Sequence, residues 1–304
     1  MHHAHHSLCL TLPCFVAALV AAIVSLALSP LSASAEGAPP VRIVSMNLCT
    51  DQLTLLVAAP HQIHSLSYIS SDPETSALAR EAQRYPPNHG LAEEIFLMRP
   101  DLILAGAYTR PATTRMLRRL GFRVETFKPA GSFGEIRANI ARLARLLGRP
   151  KRGAELIASF DEVRRARTAT NSTTPPRRRP RAALYQANSH TSGRGTLAAD
   201  ILAHANVENL ATELGLTGIV RLPLELLVIN RPDLLITGDA GAHPTARAGA
   251  ALTHPALAAT PRHVIAMDNR WSCGTPAVLE IVRELEAVVS KMPDPQTRRT
   301  PSNS

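Results

Sequence analysis

One pattern occurs twice in this chain, and any fold must accommodate both copies. Residues 91–106 run from Leu91 through Glu93 and Glu94 to the turn Arg99-Pro100-Asp101 and the apolar stretch Leu102-Ile103-Leu104-Ala105. Residues 222–238 repeat the layout with Glu225, Arg231-Pro232-Asp233 and Leu234-Leu235-Ile236-Thr237. In both copies a Glu stands seven residues ahead of the Pro. Each copy predicts a short helix, a turn at the Pro and a buried strand. The period is far too long for a solenoid, whose repeats span roughly 20–50 residues. It points instead to two similar lobes, and a cleft between lobes is a natural ligand site.

The remaining apolar runs fit that plan. Val41–Ser45 predicts a strand, then a loop over residues 46–50. Asp51–Ala59 predicts a helix, with Thr50 or Asp51 able to cap it. Thr113–Leu120 predicts a helix ended by Gly121, followed by a strand at Val124–Phe127. Strands alternating with helices indicate a parallel α/β sheet. No strand signal occurs from Ser132 to Thr168. Two helices are expected there, broken at Gly148-Arg149-Pro150, the second running from Pro150 to about Thr168. The stretch 173–181 is a loop by composition, and its arginines read as a solvated turn. Beyond it the pattern restarts, with strands at Ala182–Tyr185 and His263–Met267 and helices at Leu197–His204 and Val278–Met292. The expected organisation is one lobe over 41–131, a helical connector over 132–169, a second lobe over 182–290, and a disordered polar tail over 291–304.

The first 35 residues stand apart. Leu8–Leu28 is nearly all apolar, and Ala33-Ser34-Ala35 supplies small residues where a signal peptidase reads. This is the layout of a secretory signal, with cleavage expected after Ala35. Its leading region holds His2, His3, His5 and His6 but no Lys or Arg, so an uncleaved anchor is the alternative. Cys9 and Cys14 lie inside the apolar run, the wrong place for a lipid-modified cysteine. The mature chain then keeps Cys49 and Cys273. The net charge is +9, but the arginines are scattered and aromatics are only 4% of residues, which argues against a nucleic-acid surface.

Several ordered segments together resemble the iron-chelate/vitamin B12 family of periplasmic binding proteins, the solute receptors of ABC importers. They are Arg42 to Leu53, Ser65 to Tyr68, the paired Glu…Arg-Pro-Asp-Leu units, Tyr185 to Asn209, and Asp268 to Pro276. The likeness covers about residues 41–290. It implies two similar α/β lobes with parallel central sheets, joined by one long rigid helix, here about Pro150 to Thr168. It also implies a metal chelate held in the cleft (a ferric siderophore, haem or a cobalamin-type corrinoid) and no chemistry done on it. The chain is then a periplasmic monomer, not an enzyme, with no cofactor of its own. Its partner is an ABC permease whose ATPase is a separate chain, since no GxxxxGK[ST] loop occurs here.

The resemblance also assigns residues. Glu93 and Glu225 occupy the positions that dock each lobe on permease arginines, with Glu94 as the neighbouring competitor. Tyr68 matches a cleft residue that stacks on planar ligands. Trp271, the single tryptophan, is expected at the cleft with Asn269, Arg270 and Ser272 beside it. His89 and His190 fall in cleft-facing loops, where an imidazole can reach iron or cobalt. Arg194 and Arg270 are candidates to pair with ligand carboxylates. Cys49 and Cys273 each fall in a cleft loop, one per lobe. A disulfide between them would tie the lobes; free thiols, soft-metal ligands or two unconnected cysteines are the alternatives. Rival readings are a zinc or manganese receptor using His89, His190 and His243, an enzyme with a cysteine nucleophile, and a membrane-anchored sensor.

Overall fold

The computed structural model describes residues 38–172, 179–237, 254–255 and 263–292. The expected leader, part of the 173–181 loop, His243, and the tail from 293 onward lie outside the described residues. In the first lobe the apolar runs pair as strands β1 (Ile43–Ser45), β2 (Ile63–Ser67), β3 (Pro87–Asn88), β4 (Leu102–Gly106) and β5 (Val124–Phe127). Their order is β3-β2-β1-β4-β5, and every pairing is parallel. A parallel sheet needs both faces covered, and the two-residue alternation of side chains supplies both. Ile43, Leu102 and Leu104 face one core, shared with helix α1 (Leu48–Val57). Val44, Ile103 and Ala105 face the other. There they meet Ile95 and Leu117, which lie on α3 (Ala92–Met98) and α4 (Pro111–Arg119). A single helical turn, α2 (Ala79–Ala82), lies between β2 and β3.

Two helices lead out of this lobe, α5 (Phe133–Leu146) and α6 (Pro150–Ser172). Ser132 caps α5 by accepting the Glu135 amide at 3.2 Å. The expected break at Gly148-Arg149-Pro150 is present, with Gly148 at φ +66°. Helix α6 runs four residues past the expected end at Thr168.

The second lobe holds β6 (Arg181–Tyr185), β7 (His190–Ser192), β8 (Glu208–Asn209), β9 (Ile219–Arg221), β10 (Leu234–Thr237) and β11 (His263–Ala266). Strands β11-β10-β6-β8 form a parallel sheet, and β7 pairs with β9 in an antiparallel ribbon. Helices α7 (Leu197–His204), α8 (Leu210–Glu213), α9 (Leu224–Asn230) and α10 (Val278–Lys291) belong to this lobe. Met292 is buried, so ordered structure passes the expected boundary at residue 290. One continuous core joins both sheets. Ile43 and Leu104 of the first sheet, Phe133, Ile136 and Phe160 of the connecting helices, and Leu184 and Ile236 of the second sheet all belong to it.

The doubled sequence unit is a doubled physical device. Helices α3 and α9 each end on an arginine in the left-handed region, Arg99 at φ 46° and Arg231 at φ 43°. A non-glycine residue there costs about 1–2 kcal/mol, and the following Pro prevents the helix from continuing. The Asp of each turn meets that cost. Asp101 accepts the Val41 amide at 2.7 Å and the Arg42 amide at 3.1 Å, and Asp233 accepts the Arg181 amide at 2.9 Å. The arginines thus held then reach back: Arg42 donates to the Met98 carbonyl, and Arg181 donates to the Asn230 carbonyl at 2.8 Å. Those carbonyls lie in the last turns of α3 and α9, which have no intrahelical donor. Each Arg-Pro-Asp turn therefore locks a helix end to the start of the central strand of its sheet.

Asp101→Ala and Asp233→Ala should each destabilise the chain by about 0.5–1.5 kcal/mol, the usual net worth of such hydrogen bonds where the donors are exposed or half-buried. Urea unfolding midpoints measure this, and an unchanged midpoint for either variant would contradict the locking role.

Candidate functional site

Ligands of parallel sheets bind beyond the carboxyl ends of the strands. In the first lobe that edge carries aromatic rings. Tyr68 directly follows β2 and opens a one-turn helix, Tyr68–Ser71; it is 54% exposed. His89 directly follows β3. The two rings stack with centroids 5.0 Å apart and planes at 22°. Glu94, not Glu93, is the carboxylate engaged here: its Oε2 accepts the His89 amide at 2.8 Å and its Oε1 lies 3.4 Å from His89 Nδ1. Glu93 stays exposed. Tyr108, two residues past β4, is 86% exposed on the same edge. Sequence reasoning passed it over; its signal was an aromatic residue directly beyond a buried strand closed by Gly106. The edge thus offers ring faces, phenol oxygens and an imidazole nitrogen, donors suited to iron or cobalt in a chelate.

A buried polar layer holds these rings from below. Ser67, the residue before Tyr68, donates to the Asp51 carboxylate. Asn88, the residue before His89, donates to the Ser45 carbonyl and the Ser65 hydroxyl, both at 2.9 Å. Asp51 lies on α1 and is fully buried. Burial pushes its carboxyl up to about 7, while hydrogen bonds from Ser45 and Ser67 hold back part of the rise. Neither Asp51 Oδ1 nor Gln52 Nε2 finds a hydrogen-bond partner among the described residues.

The lobes are tied together across this region. Cys49, at the start of α1, and Cys273, after β11, form a disulfide with Cα atoms 5.1 Å apart and a sequence separation of 224. Asn269 donates to the Pro73 carbonyl of the first lobe at 3.0 Å. Gly274 packs so closely that a Cβ there would lie 2.5 Å from the Ala130 methyl.

Besides Asn269, two more residues expected at the cleft are engaged in the protein itself. Trp271 is only 6% exposed and belongs to the continuous core, because the turn carrying it folds inward where the lobes and α10 meet. Arg270 is held by Asp268 and by Glu284 at 2.7 and 2.9 Å, with Glu280 at 3.3 Å. These partners raise its basicity further. Asp268, though partly desolvated, is held below the usual carboxylate range by Arg270. Arg270 therefore fastens its loop to α10, while part of its side chain borders an open cavity of about 420 Å³ with Asn269 and Pro73. Ser272 is exposed. His190 is half-buried, its Nδ1 3.1 Å from the Ala187 carbonyl. Arg194 is exposed beside an open cavity of about 470 Å³ bordered by Ser132, Thr196 and Asp200, away from the rings of the first lobe.

A family model described as periplasmic binding protein matches residues 43–270. The chain belongs to the periplasmic binding protein family. Solved structures agree on the fold. The haem-binding protein BhuT, solved with two haems, has a TM-score of 0.67 at 23% identity, covering 82% of this chain and 97% of its own. Haem-binding HutB of Vibrio cholerae gives 0.68 at 18%, covering 82% and 98%. Vitamin B12-binding BtuF of Vibrio cholerae gives 0.61 at 19%, covering 84% and 99%. No curated sequence matches significantly. Among the described residues, no helix is long and apolar enough to cross a membrane, and no three His, Cys, Asp or Glu side chains converge as a metal site.

Two outcomes follow for this binding protein. Replacing both Cys49 and Cys273 by Ala should lower stability by about 2–5 kcal/mol, since the bond closes a very long loop. Denaturant midpoints with and without reductant report it, and reductant should leave the double variant unmoved. Asp51 holds its proton more tightly folded than unfolded, so stability should fall as pH rises from about 4 through 7. Asp51→Asn, which mimics the protonated form, should flatten that fall between pH 5 and 8; parallel curves for the two chains would contradict the assignment.

Proposed function

We propose that this protein is an exported receptor that binds a metal chelate in the cleft between its lobes and delivers it to an ABC importer permease. The observation that carries the reading is the stacked, exposed Tyr68–His89 pair, set at the strand edge of a chain of the periplasmic binding protein family. The ligand class is haem, ahead of a ferric siderophore or a corrinoid. A flat tetrapyrrole matches two parallel rings with Tyr108 beside them, and a phenol or imidazole can take an axial position on its metal. Haem-binding structures also stand among the similar folds. From the second lobe, His190 and Ser272 are the candidate contacts.

Glu93 and Glu225 are the docking carboxylates of this reading. Both are exposed, in the first turns of α3 and α9. Each helix joins its following strand through a tight turn and so runs back along it, which sets its first turn toward the carboxyl edge of the sheet. Exposed charges at such places steer and register an encounter rather than add much affinity. The location is periplasmic, reached through the leader expected in residues 1–35, and the permease with its ATPase is supplied by other chains.

Titration with haemin, followed by its Soret band, tests the ligand. Saturable one-to-one binding is expected, and Tyr68→Ala/His89→Ala should weaken it at least tenfold while leaving the unfolding free energy within about 0.5 kcal/mol of the parent. Saturation by cyanocobalamin or a ferric hydroxamate, but not haemin, would move the ligand to that class. No binding to any of the three would overturn the receptor reading.

A further inference from the structure

Helices α3 and α9 occupy the same position in the two lobes, and their registers match residue for residue. Counting from Glu93 and Glu225, the second residue on is buried in each: Ile95 and Leu227. The fourth residue on is Leu97 in one and Ile229 in the other. These are 77% and 74% exposed, among the most exposed large aliphatic side chains of the described residues. Positions i and i+4 share a helix face, so each lobe presents a carboxylate and, one turn along, a bare aliphatic side chain. A single exposed Leu needs no explanation. The same exposed aliphatic position beside the same exposed carboxylate, in both lobes, does need one. Other positions have changed character: Glu94 corresponds to Leu226 and Met98 to Asn230. Packing within the lobes does not require Leu97 or Ile229, since Ile95 and Leu227 already fill the inward side. In the first lobe the patch widens into a shallow hollow of about 330 Å³ bordered by Glu93, Phe96, Leu97, Met116 and Leu120. In the second lobe Leu226 and Ile219 are exposed as well.

We propose that Leu97 and Ile229 are a matched pair of apolar anchors that seat the two lobes on a membrane-embedded importer carrying two equivalent patches. Each patch pairs a cation, for Glu93 or Glu225, with an apolar socket, for Leu97 or Ile229. The inference rests on the docking reading above and deepens it. The paired carboxylates favour a protein partner over a lipid surface, because anionic headgroups repel them. Two like patches on one chain call for two like sites on the partner, as a two-fold symmetric dimer provides. The carboxylates then govern approach, and the aliphatic side chains govern how long the complex lasts.

The test uses the full chain in its native host, with a photo-crosslinking residue placed in turn at positions 93, 97, 225 and 229, and at exposed Glu155 as a control. Positions 97 and 229 should trap the same integral membrane polypeptide, with none trapped from position 155. Leu97→Ser/Ile229→Ser should lower the receptor retained on washed membranes at least tenfold, and Leu97→Met/Ile229→Met should retain it. Adducts from 93 and 225 alone, with the Ser variant fully retained, would overturn the anchors and leave docking intact. No adduct from any of the four positions would overturn docking and the anchors together. Different polypeptides at 97 and 229, a crosslink to a second copy of this chain, or equal retention on protein-free anionic liposomes would also overturn the proposal.

Discussion

One carboxylate in each lobe holds that lobe's geometry in register. Asp101 and Asp233 bind the amides that open the central strands, and the arginines so placed close the ends of α3 and α9. Because the turn between helix and strand is only Arg-Pro-Asp long, fixing it fixes which face of the helix is buried. The rim follows from the same register, since strands aligned at their starts deliver Tyr68, His89 and Tyr108 to a common edge.

Two regimes meet at the cleft. Below the rim lies a polar layer, Ser45, Ser65, Ser67, Asn88 and Asp51, whose hydrogen bonds are directional and hold the rings in place. Behind it lies the continuous apolar core, which is not directional and which welds both sheets to the connecting helices. A binding protein built this way gives up large lobe motion. The covalent tie at Cys49–Cys273 and the Asn269–Pro73 hydrogen bond favour small adjustments of the rim over a wide hinge.

Much of this was legible in the sequence. The Arg-Pro-Asp turns, the alternation of strand and helix, and the break at Gly148-Arg149-Pro150 are local signals, and local physics decides them. The antiparallel β7–β9 ribbon was not legible, because its strands are three residues long and each needs the other to exist. Trp271 misled because a loop tryptophan reads as exposed until the other lobe and α10 close over it. Arg270 was only partly legible: Asp268 stands two residues away, but Glu280 and Glu284 lie on a helix that begins eight residues later. The pairing of Cys49 with Cys273 was one option among several, since sequence separation carries no information on distance.

The long disulfide ring has a consequence for the integrity of the molecule. Every residue between Cys49 and Cys273 lies inside a closed covalent circuit that contains nearly all of both lobes. A single backbone cut within it by a protease leaves one molecule rather than two halves. Only a second cut, or a reductant, releases a piece. A binding protein of this design tolerates nicking that would dismantle the same fold with free thiols.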